Sequence, residues 1–301
     1  MRAVAERSRL GYALAACAAI LLSTIGFLGK IAFSFGADPL ALVTLRAFVA
    51  TGIVAVVIAL TNVERFKIKR RDIPFFVGFG IFGVAANYLG YFYALRLTTV
   101  ATTITLLYTY PAMVVVAAFF IFHEPITGRK MAALVLTFTG VLVTAFGLSS
   151  SITWDVRGLI FGLLGGVGTT VYMLAAKKGQ VRYGALTVLF YSFLFGALTL
   201  GGFYLVQYGP KVDVTPQIAV MIVLIASGPT LIGYGLYTLS LRFIEAGKSS
   251  ITLTIEPASA IILAYLIVGE TVTQIQRLGT ALIVSGVIVL QVRGWGSTGK
   301  N

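Results

Sequence analysis

Long apolar stretches alternate with short polar segments along the whole chain. Ten stretches are long enough to form membrane-spanning helices, because a helix needs about 20 apolar residues to cross roughly 30 Å of hydrocarbon. They lie at 10–30, 39–60, 74–95, 98–122, 130–148, 158–176, 185–208, 217–241, 249–268 and 278–292. The pattern therefore predicts an all-α integral membrane protein with ten transmembrane helices.

The two halves of the chain repeat one another in register. A proline, a glutamate and a glycine recur with the same spacing after a shift of 146 residues: Pro111, Glu124 and Gly140, then Pro257, Glu270 and Gly286. We predict one repeat over 10–148, a second over 158–292 and a disordered polar tail at 293–301. Each repeat holds an odd number of spans, so the second would cross the membrane upside down. Two inverted five-helix repeats are typical of transporters.

The charged residues indicate how the chain lies in the membrane. Charged residues make up 11% of the chain, and an ordinary soluble domain has about 25%. The net charge of +13 could suggest nucleic-acid binding, but the basic residues lie on alternate loops, 17 on one side and 5 on the other. This asymmetry follows the positive-inside rule. We therefore expect a multi-pass protein of the bacterial inner membrane with both termini in the cytoplasm, and no nucleic-acid partner.

Several motifs carry no catalytic prediction. The segment 78–83 matches a dinucleotide-binding pattern, but it lies inside an apolar stretch, where close helix packing is the better interpretation. The same interpretation applies to Gly158, Gly162 and Gly166. Cys17 is the single cysteine and His123 the single histidine, so neither has a counterpart for a disulfide or a metal site. We find no support for an enzyme and expect neither a cofactor nor a bound metal.

Two ionisable residues lie within apolar stretches, where a charge costs at least about 2.5 to 3.5 kcal/mol and requires compensation. Arg46 is in the second stretch and Glu256 in the ninth. Glu256 shares one helical face with Ser249, Thr252 and Ser259, and we expect this face to border a cavity. The two charges could neutralise each other or serve a structural role. Alternatively, Arg46 could bind a substrate anion, while Glu256 could bind a substrate ammonium group or carry a proton.

Polar and aromatic residues accompany two prolines at equivalent places in the repeats. Pro111 and Pro257 each remove a backbone hydrogen bond, so we expect kinked or interrupted helices there. Freed carbonyls and half-helix ends supply substrate contacts in transporters. The candidate substrate-binding residues are Asn87, Tyr88, Tyr91, Thr102, Thr103, Tyr110, Tyr234, Tyr237, Thr252 and Glu256.

Taken together, these features resemble the drug/metabolite transporter superfamily in its EamA-type branch. The resemblance covers nearly the whole chain and depends on Arg46, on the Tyr110-Pro111 and Glu256-Pro257 segments, and on the repeated glutamate and glycine. It is greatest to the YddG-type exporters of aromatic and other amino acids. The resemblance implies a central cavity lined by the third, fourth, eighth and ninth helices, and export without ATP hydrolysis.

Three functions follow as alternatives. The first is export of neutral amino acids, including aromatic ones, by alternating access of the two inverted halves. The second is export of lipophilic cationic drugs or other small metabolites, with Glu256 neutralising the cation. The third is a lipid-handling membrane protein that transports no small solute. Ten helices can enclose a complete pathway, so we expect a functional monomer.

Overall fold

The fold contains ten helical stretches that are long and apolar enough to cross a membrane, within the residues that the computed structural model describes. Those residues are 2–98, 100–148, 155–268 and 272–291. The repeated glutamate Glu270 and the predicted tail 293–301 lie outside them. Every regular element in the described residues is helical. The predicted fold class and the number of spans are therefore confirmed, with boundaries that differ by a few residues.

Six of the ten spans are continuous α-helices, and four are interrupted. The continuous ones are Arg2–Ser34 (span 1), Pro39–Thr61 (span 2), Gly128–Leu148 (span 5), Val156–Gln180 (span 6), Ala185–Tyr208 (span 7) and Gln274–Gln291 (span 10). The interrupted ones are Ile73–Gly78, Phe79–Ala85 and Ala86–Leu97 (span 3), Val100–Leu107 and Tyr110–Phe122 (span 4), Pro216–Ile225, Ala226–Gly233 and Tyr234–Ser240 (span 8), and Ala246–Leu253, Ile255–Leu263 and Ala264–Val268 (span 9).

Local sequence signals fix where several spans begin. The Asp38 side chain accepts a hydrogen bond from the Ala41 amide at 2.8 Å, directly before Pro39. Thr215 caps span 8 in the same way, directly before Pro216. A capping side chain satisfies a free N–H, and proline is tolerated in the first turn because its missing N–H has no partner there.

The contacts between spans follow the sequence repeat: a contact made by a span of one half has an equivalent contact made by the matching span of the other half. Span 2 lies along span 7, and span 5 lies along span 10. Span 1 packs on spans 8 and 9, as span 6 packs on spans 3 and 4. The main apolar core lies between these pairs and is rich in aromatic side chains such as Phe76, Phe79 and Tyr237. This exchange of partners agrees with the repeat in the sequence, and the inversion of the second repeat stays a prediction.

The repeated glycines lie where spans 5 and 10 cross. A Cβ atom on Gly140 would come within 2.8 Å of the Gly279 carbonyl oxygen. A Cβ atom on Gly286 would come within 2.7 Å of the Thr137 side chain and 3.0 Å of the Ala133 carbonyl oxygen. Real Cβ atoms are almost never that close to other atoms, so only glycine permits this crossing.

Close packing also explains the other glycine motifs. A Cβ atom on Gly80 would lie 2.6 Å from the Gly196 amide nitrogen, where span 3 meets span 7. Gly158, Gly162 and Gly166 bring span 6 against Thr98, Leu106 and Thr109. The predicted packing role of these segments is confirmed.

Spans 3 and 8 each contain a π-helical segment at matching places in the two repeats. The segments are Phe79–Ala85 and Ala226–Gly233, about 147 residues apart. A π-helical segment has a wider turn and leaves part of the regular hydrogen-bond ladder unmade. Such segments occur frequently at functional sites, and both of these lead directly into helices that carry candidate tyrosines.

Candidate substrate site

Spans 4 and 9 are both interrupted near their middle. The helix breaks at Tyr108 and Thr109 in span 4 and at Thr254 in span 9, and Tyr108 and Thr254 are equivalent in the repeat. Pro111 and Pro257 lie in the first turns of the half-helices that follow. Each proline therefore begins a new half-helix instead of bending a continuous one.

Glu256 lies in the first turn of the second half of span 9, and it is partly accessible. Free N–H groups and the positive end of the helix dipole favour a carboxylate at such a position. The Tyr108 hydroxyl is within hydrogen-bonding reach of this carboxylate. Tyr91, Tyr110 and Tyr234 are close enough to interact with it electrostatically. Glu256 is therefore a partly accessible carboxyl group with tyrosines around it.

Arg46 lies in span 2 and is 6% exposed. Its guanidinium carbon is 4.3 Å from the centroid of the Tyr88 ring, close enough for a cation–π interaction. The Arg46 Nε and the Tyr88 hydroxyl are both buried, and neither has a hydrogen-bond partner among the described residues. Buried donors are almost always paired in folded proteins, and the Tyr237 hydroxyl in the same aromatic region is unpaired as well within the described part of the chain.

The two charges do not pair with each other. Among the ion pairs that the described residues form, none includes Arg46 or Glu256. Both charges nevertheless lie near Tyr91 and near Tyr234. Tyr91 is 36% exposed, although it lies among these buried groups, so it lines an accessible space. The arrangement leaves a cation and an anion available at one aromatic site.

Asn87 lies beside this site but is engaged in helix packing. Its side-chain amide donates to the Gly165 carbonyl oxygen at 3.0 Å and to the Thr169 hydroxyl. These bonds join span 3 to span 6. The amide therefore has partners in the protein, and its contact with a substrate stays a prediction.

The candidate hydroxyl groups also differ from the sequence expectation. Ser249 and Thr252 are fully buried, and the Thr252 hydroxyl donates to the Lys248 carbonyl oxygen at 2.8 Å. The Ser249 hydroxyl pairs with Ser240 at 2.8 Å. Only part of the expected polar face therefore borders an accessible space, since the serine and threonine hydroxyls find partners inside the bundle.

The remaining candidates lie deeper in the protein. Thr102 and Thr103 are buried, and the Thr103 hydroxyl is 3.1 Å from the Thr98 hydroxyl. Tyr237 is 2% exposed, and its ring stacks on Tyr172 with the centroids 6.0 Å apart. The Tyr110 hydroxyl donates to the Ser250 carbonyl oxygen at 3.5 Å. These groups form a packed layer next to the site.

Comparison with known proteins places the chain in a family. The sequence profile of the EamA-like transporter family matches residues 9–146 and 156–292. The chain belongs to the EamA-like transporter family. It is therefore a multi-pass membrane protein of a family of transporters.

Relatives of this EamA-like transporter cover nearly its full length. It is 27% identical over 290 residues to an uncharacterized transporter of Clostridium kluyveri, covering 93% of this chain and 92% of that relative. It is 25% identical to an uncharacterized transporter of Archaeoglobus fulgidus, covering 93% and 96%. It is 26% identical to the uncharacterized inner membrane transporter YicL of Salmonella typhimurium, covering 74% and 75%.

A solved crystal structure shares the fold of this EamA-like transporter. The two superpose with a TM-score of 0.81 at 20% sequence identity, and the match covers 95% of this chain and 96% of the other. The architecture of ten helices is therefore one that a solved protein adopts over its whole length.

Sequence reasoning missed two features of the transporter. Tyr172 on span 6 contacts both Tyr234 and Tyr237, so the aromatic site includes a helix outside the expected four. Glu124 is 5% exposed and forms ion pairs with Lys130 and Lys177, although it follows the end of span 4. Its exact repetition in the second half of the sequence was the signal that could have identified it.

Proposed function

We propose that this EamA-like transporter exports amino acids, with aromatic and other neutral amino acids as substrates. The supporting observation is that Arg46 and Glu256 are unpaired with each other and border the same tyrosines. A zwitterionic amino acid carries one charge complementary to each of them. Its binding would compensate both charges, which are costly to keep within an apolar protein.

Each part of the substrate has a defined contact in this proposal. The substrate carboxylate accepts hydrogen bonds from the Arg46 Nε and the Tyr88 hydroxyl, which have no partner within the part of the chain that the structure describes. The substrate ammonium group binds the Glu256 carboxylate. An apolar or aromatic substrate side chain packs against the accessible Tyr91 ring. The contact with a ring tolerates side chains of different size, so we expect broad selectivity.

The substrate crosses by alternating access, in which the two inverted halves rock around the site. The broken spans 4 and 9 provide half-helix ends next to Glu256, as in transporters with discontinuous helices. Among EamA-like transporters, this chemistry fits the YddG-type exporters of amino acids. The transporter acts as a monomer in the bacterial inner membrane, with its basic loops and both termini in the cytoplasm.

A second candidate function is export of lipophilic cations. Glu256 with its surrounding tyrosines would suit a cation that carries aromatic groups. Arg46 weighs against this function, because a buried guanidinium near the same tyrosines repels a second positive charge. Amino-acid export uses both charges and is therefore the better-supported proposal.

Equilibrium binding to the purified protein tests the proposal. Labelled phenylalanine is displaced by unlabelled phenylalanine, by phenylalaninamide, which lacks the carboxylate, and by 3-phenylpropionate, which lacks the ammonium group. We expect both analogues to compete at least about tenfold more weakly, because each leaves one buried charge unmatched. Stronger competition by tetraphenylphosphonium than by phenylalanine would favour the cation exporter. Absence of saturable phenylalanine binding to folded protein would reject the amino-acid site and favour a lipid-handling role.

A further inference from the structure

A second charged site lies at the end of the bundle that carries most of the basic loops. We call this the basic end, formed by residues 62–69, 123–127, 181–184 and 241–245. Here the buried Glu124 carboxylate accepts a hydrogen bond from Lys177 Nζ at 2.7 Å. It also accepts bonds from the backbone amides of Ala246 and Gly247, at 2.7 and 3.1 Å. One side chain thus connects the ends of spans 4, 6 and 9.

The carboxylate occupies a position that favours a negative charge. Ala246 and Gly247 are the first two residues of span 9, so their N–H groups have no partner within the helix. Glu124 comes from the first repeat, whereas Lys177 and both amides belong to the second. The bonds therefore join the two halves of the molecule across its basic end.

A second layer of ion pairs supports this connection. Lys130 Nζ pairs with Glu245 and lies 3.8 Å from Glu124, and it donates to the Pro125 carbonyl oxygen at 2.8 Å. Burial alone would raise the pKa of the Glu245 carboxyl, but hydrogen bonds from Lys130 and Lys248 outweigh burial and hold this pKa below its usual value. Glu245 therefore stays ionised at neutral pH and compensates Lys130.

The backbone before Glu124 is held in an unusual conformation. His123 ends span 4 with φ of 56°, in the left-handed region that residues other than glycine seldom adopt. The Glu124 amide donates back to the Ala118 carbonyl oxygen at 3.2 Å. A left-handed residue with an amide bonded back to the last turn is a helix C-cap, and it sets where the chain leaves span 4 and thus where Glu124 lies.

A packed layer separates this cluster from the substrate site. Along span 9, Ser249, Ser250 and Thr252 are fully buried between Gly247 and Glu256. Tyr110 lies against Ser250 and is 3% exposed. Glu256 is partly accessible, so span 9 changes from partly accessible at Glu256 to fully buried at these three residues.

We propose that Glu124 is a positioning residue that holds the basic end closed and must be released before substrate can enter from that side. This inference rests on the alternating-access mechanism proposed above and adds the contact that controls one of its states. Opening requires the end of span 4 to separate from spans 6 and 9 at this end of the bundle. The bonds from Glu124 to Lys177, Ala246 and Gly247 are the direct links that such a movement breaks.

The accessibility of a buried thiol tests the proposal without using any substrate. Ser250→Cys is introduced together with Cys17→Ala, and the rate of modification by a polar maleimide is measured on purified protein in detergent. With Glu124→Gln added, we expect about a tenfold or greater increase in rate, because the open state becomes more populated. Glu64→Gln removes a carboxylate from an exposed ion pair with Lys67 and should leave the rate unchanged.

Thermal unfolding in the same samples separates opening from general loosening. An unchanged modification rate in folded Glu124→Gln would overturn the proposal. If Glu124→Gln does not fold, Lys177→Gln is used instead. It removes the side-chain partner of Glu124 and keeps the bonds from the two backbone amides. An unchanged modification rate in folded Lys177→Gln would also overturn the proposal. Phenylalanine binding is measured in parallel: a faster modification without binding would contradict the proposed substrate and leave the role of Glu124 standing.

Discussion

Burial of the Arg46 charge is costly in free energy, and the contacts of its guanidinium group offset only part of that cost. Its guanidinium lies over the Tyr88 ring, which offsets part of the lost hydration, but no described residue supplies an acceptor for the Nε. A purely structural arginine would be expected to pair with a carboxylate or a carbonyl group. The geometry instead leaves directional donors facing an aromatic site, which is what recognition of a carboxylate requires.

The account predicts a specific effect of replacing this arginine. Arg46→Gln should weaken phenylalanine binding about ten- to a hundredfold, because a hydrogen bond to a charged group contributes about 1.5 to 3 kcal/mol. It should also remove the preference for phenylalanine over phenylalaninamide, which competition binding measures. Arg96→Gln is the matched control, since the Arg96 guanidinium also lies over a ring, that of Phe92 at 5.8 Å, but is exposed. Equal losses in both variants would contradict the assignment.

For single residues, the sequence singled out the charged candidates more clearly than the candidates with hydroxyl or amide groups. Arg46 and Glu256 stand out because each interrupts a long apolar run. Asn87 and Thr252 carry no such signal, because their partners are determined by tertiary packing and by the preceding helical turn. In the sequence, a polar residue that hydrogen-bonds within the helix bundle cannot be told apart from one that binds substrate.

Among the helices, the crossing of spans 5 and 10 depends on glycine. Gly140→Ala should lower the free energy of unfolding by about 1 to 3 kcal/mol, because its Cβ would overlap the Gly279 carbonyl oxygen and force the helices apart. Thermal or denaturant unfolding of the purified protein measures this change. Gly202→Ala is the matched control, since no atom lies within 4 Å of its added Cβ. Equal stability of the two variants would show that the crossing adapts at no cost.

The elements themselves followed closely from the hydrophobic pattern. A span of about 20 apolar residues has few alternatives to a membrane helix, so the count of ten could be predicted. Pro111 and Pro257 marked the breaks in spans 4 and 9, because a proline cannot complete the backbone ladder. The π-helical segments of spans 3 and 8 were not predicted, although Pro229 lies inside the second one and removes a donor from its hydrogen-bond ladder.

Across the whole molecule, equivalent spans of the two repeats pack against equivalent partners in the opposite half. Span 1 relates to spans 8 and 9 as span 6 relates to spans 3 and 4. The two halves are not equivalent in chemistry, because Tyr110 of the first repeat corresponds to Glu256 of the second. The sequence revealed this asymmetry directly, but the bonds of Glu124 to the opposite half required the folded arrangement.

Counterflow in proteoliposomes tests the central claim most directly. Vesicles loaded with unlabelled phenylalanine are diluted into labelled phenylalanine, and uptake is compared for wild type, Glu256→Gln and the exposed control Glu64→Gln. We predict saturable uptake by the wild type and the control, and a loss of about ten- to a hundredfold in Glu256→Gln, because the substrate ammonium loses its charged partner. Absence of uptake by folded wild-type protein, or full uptake by Glu256→Gln, would contradict the account.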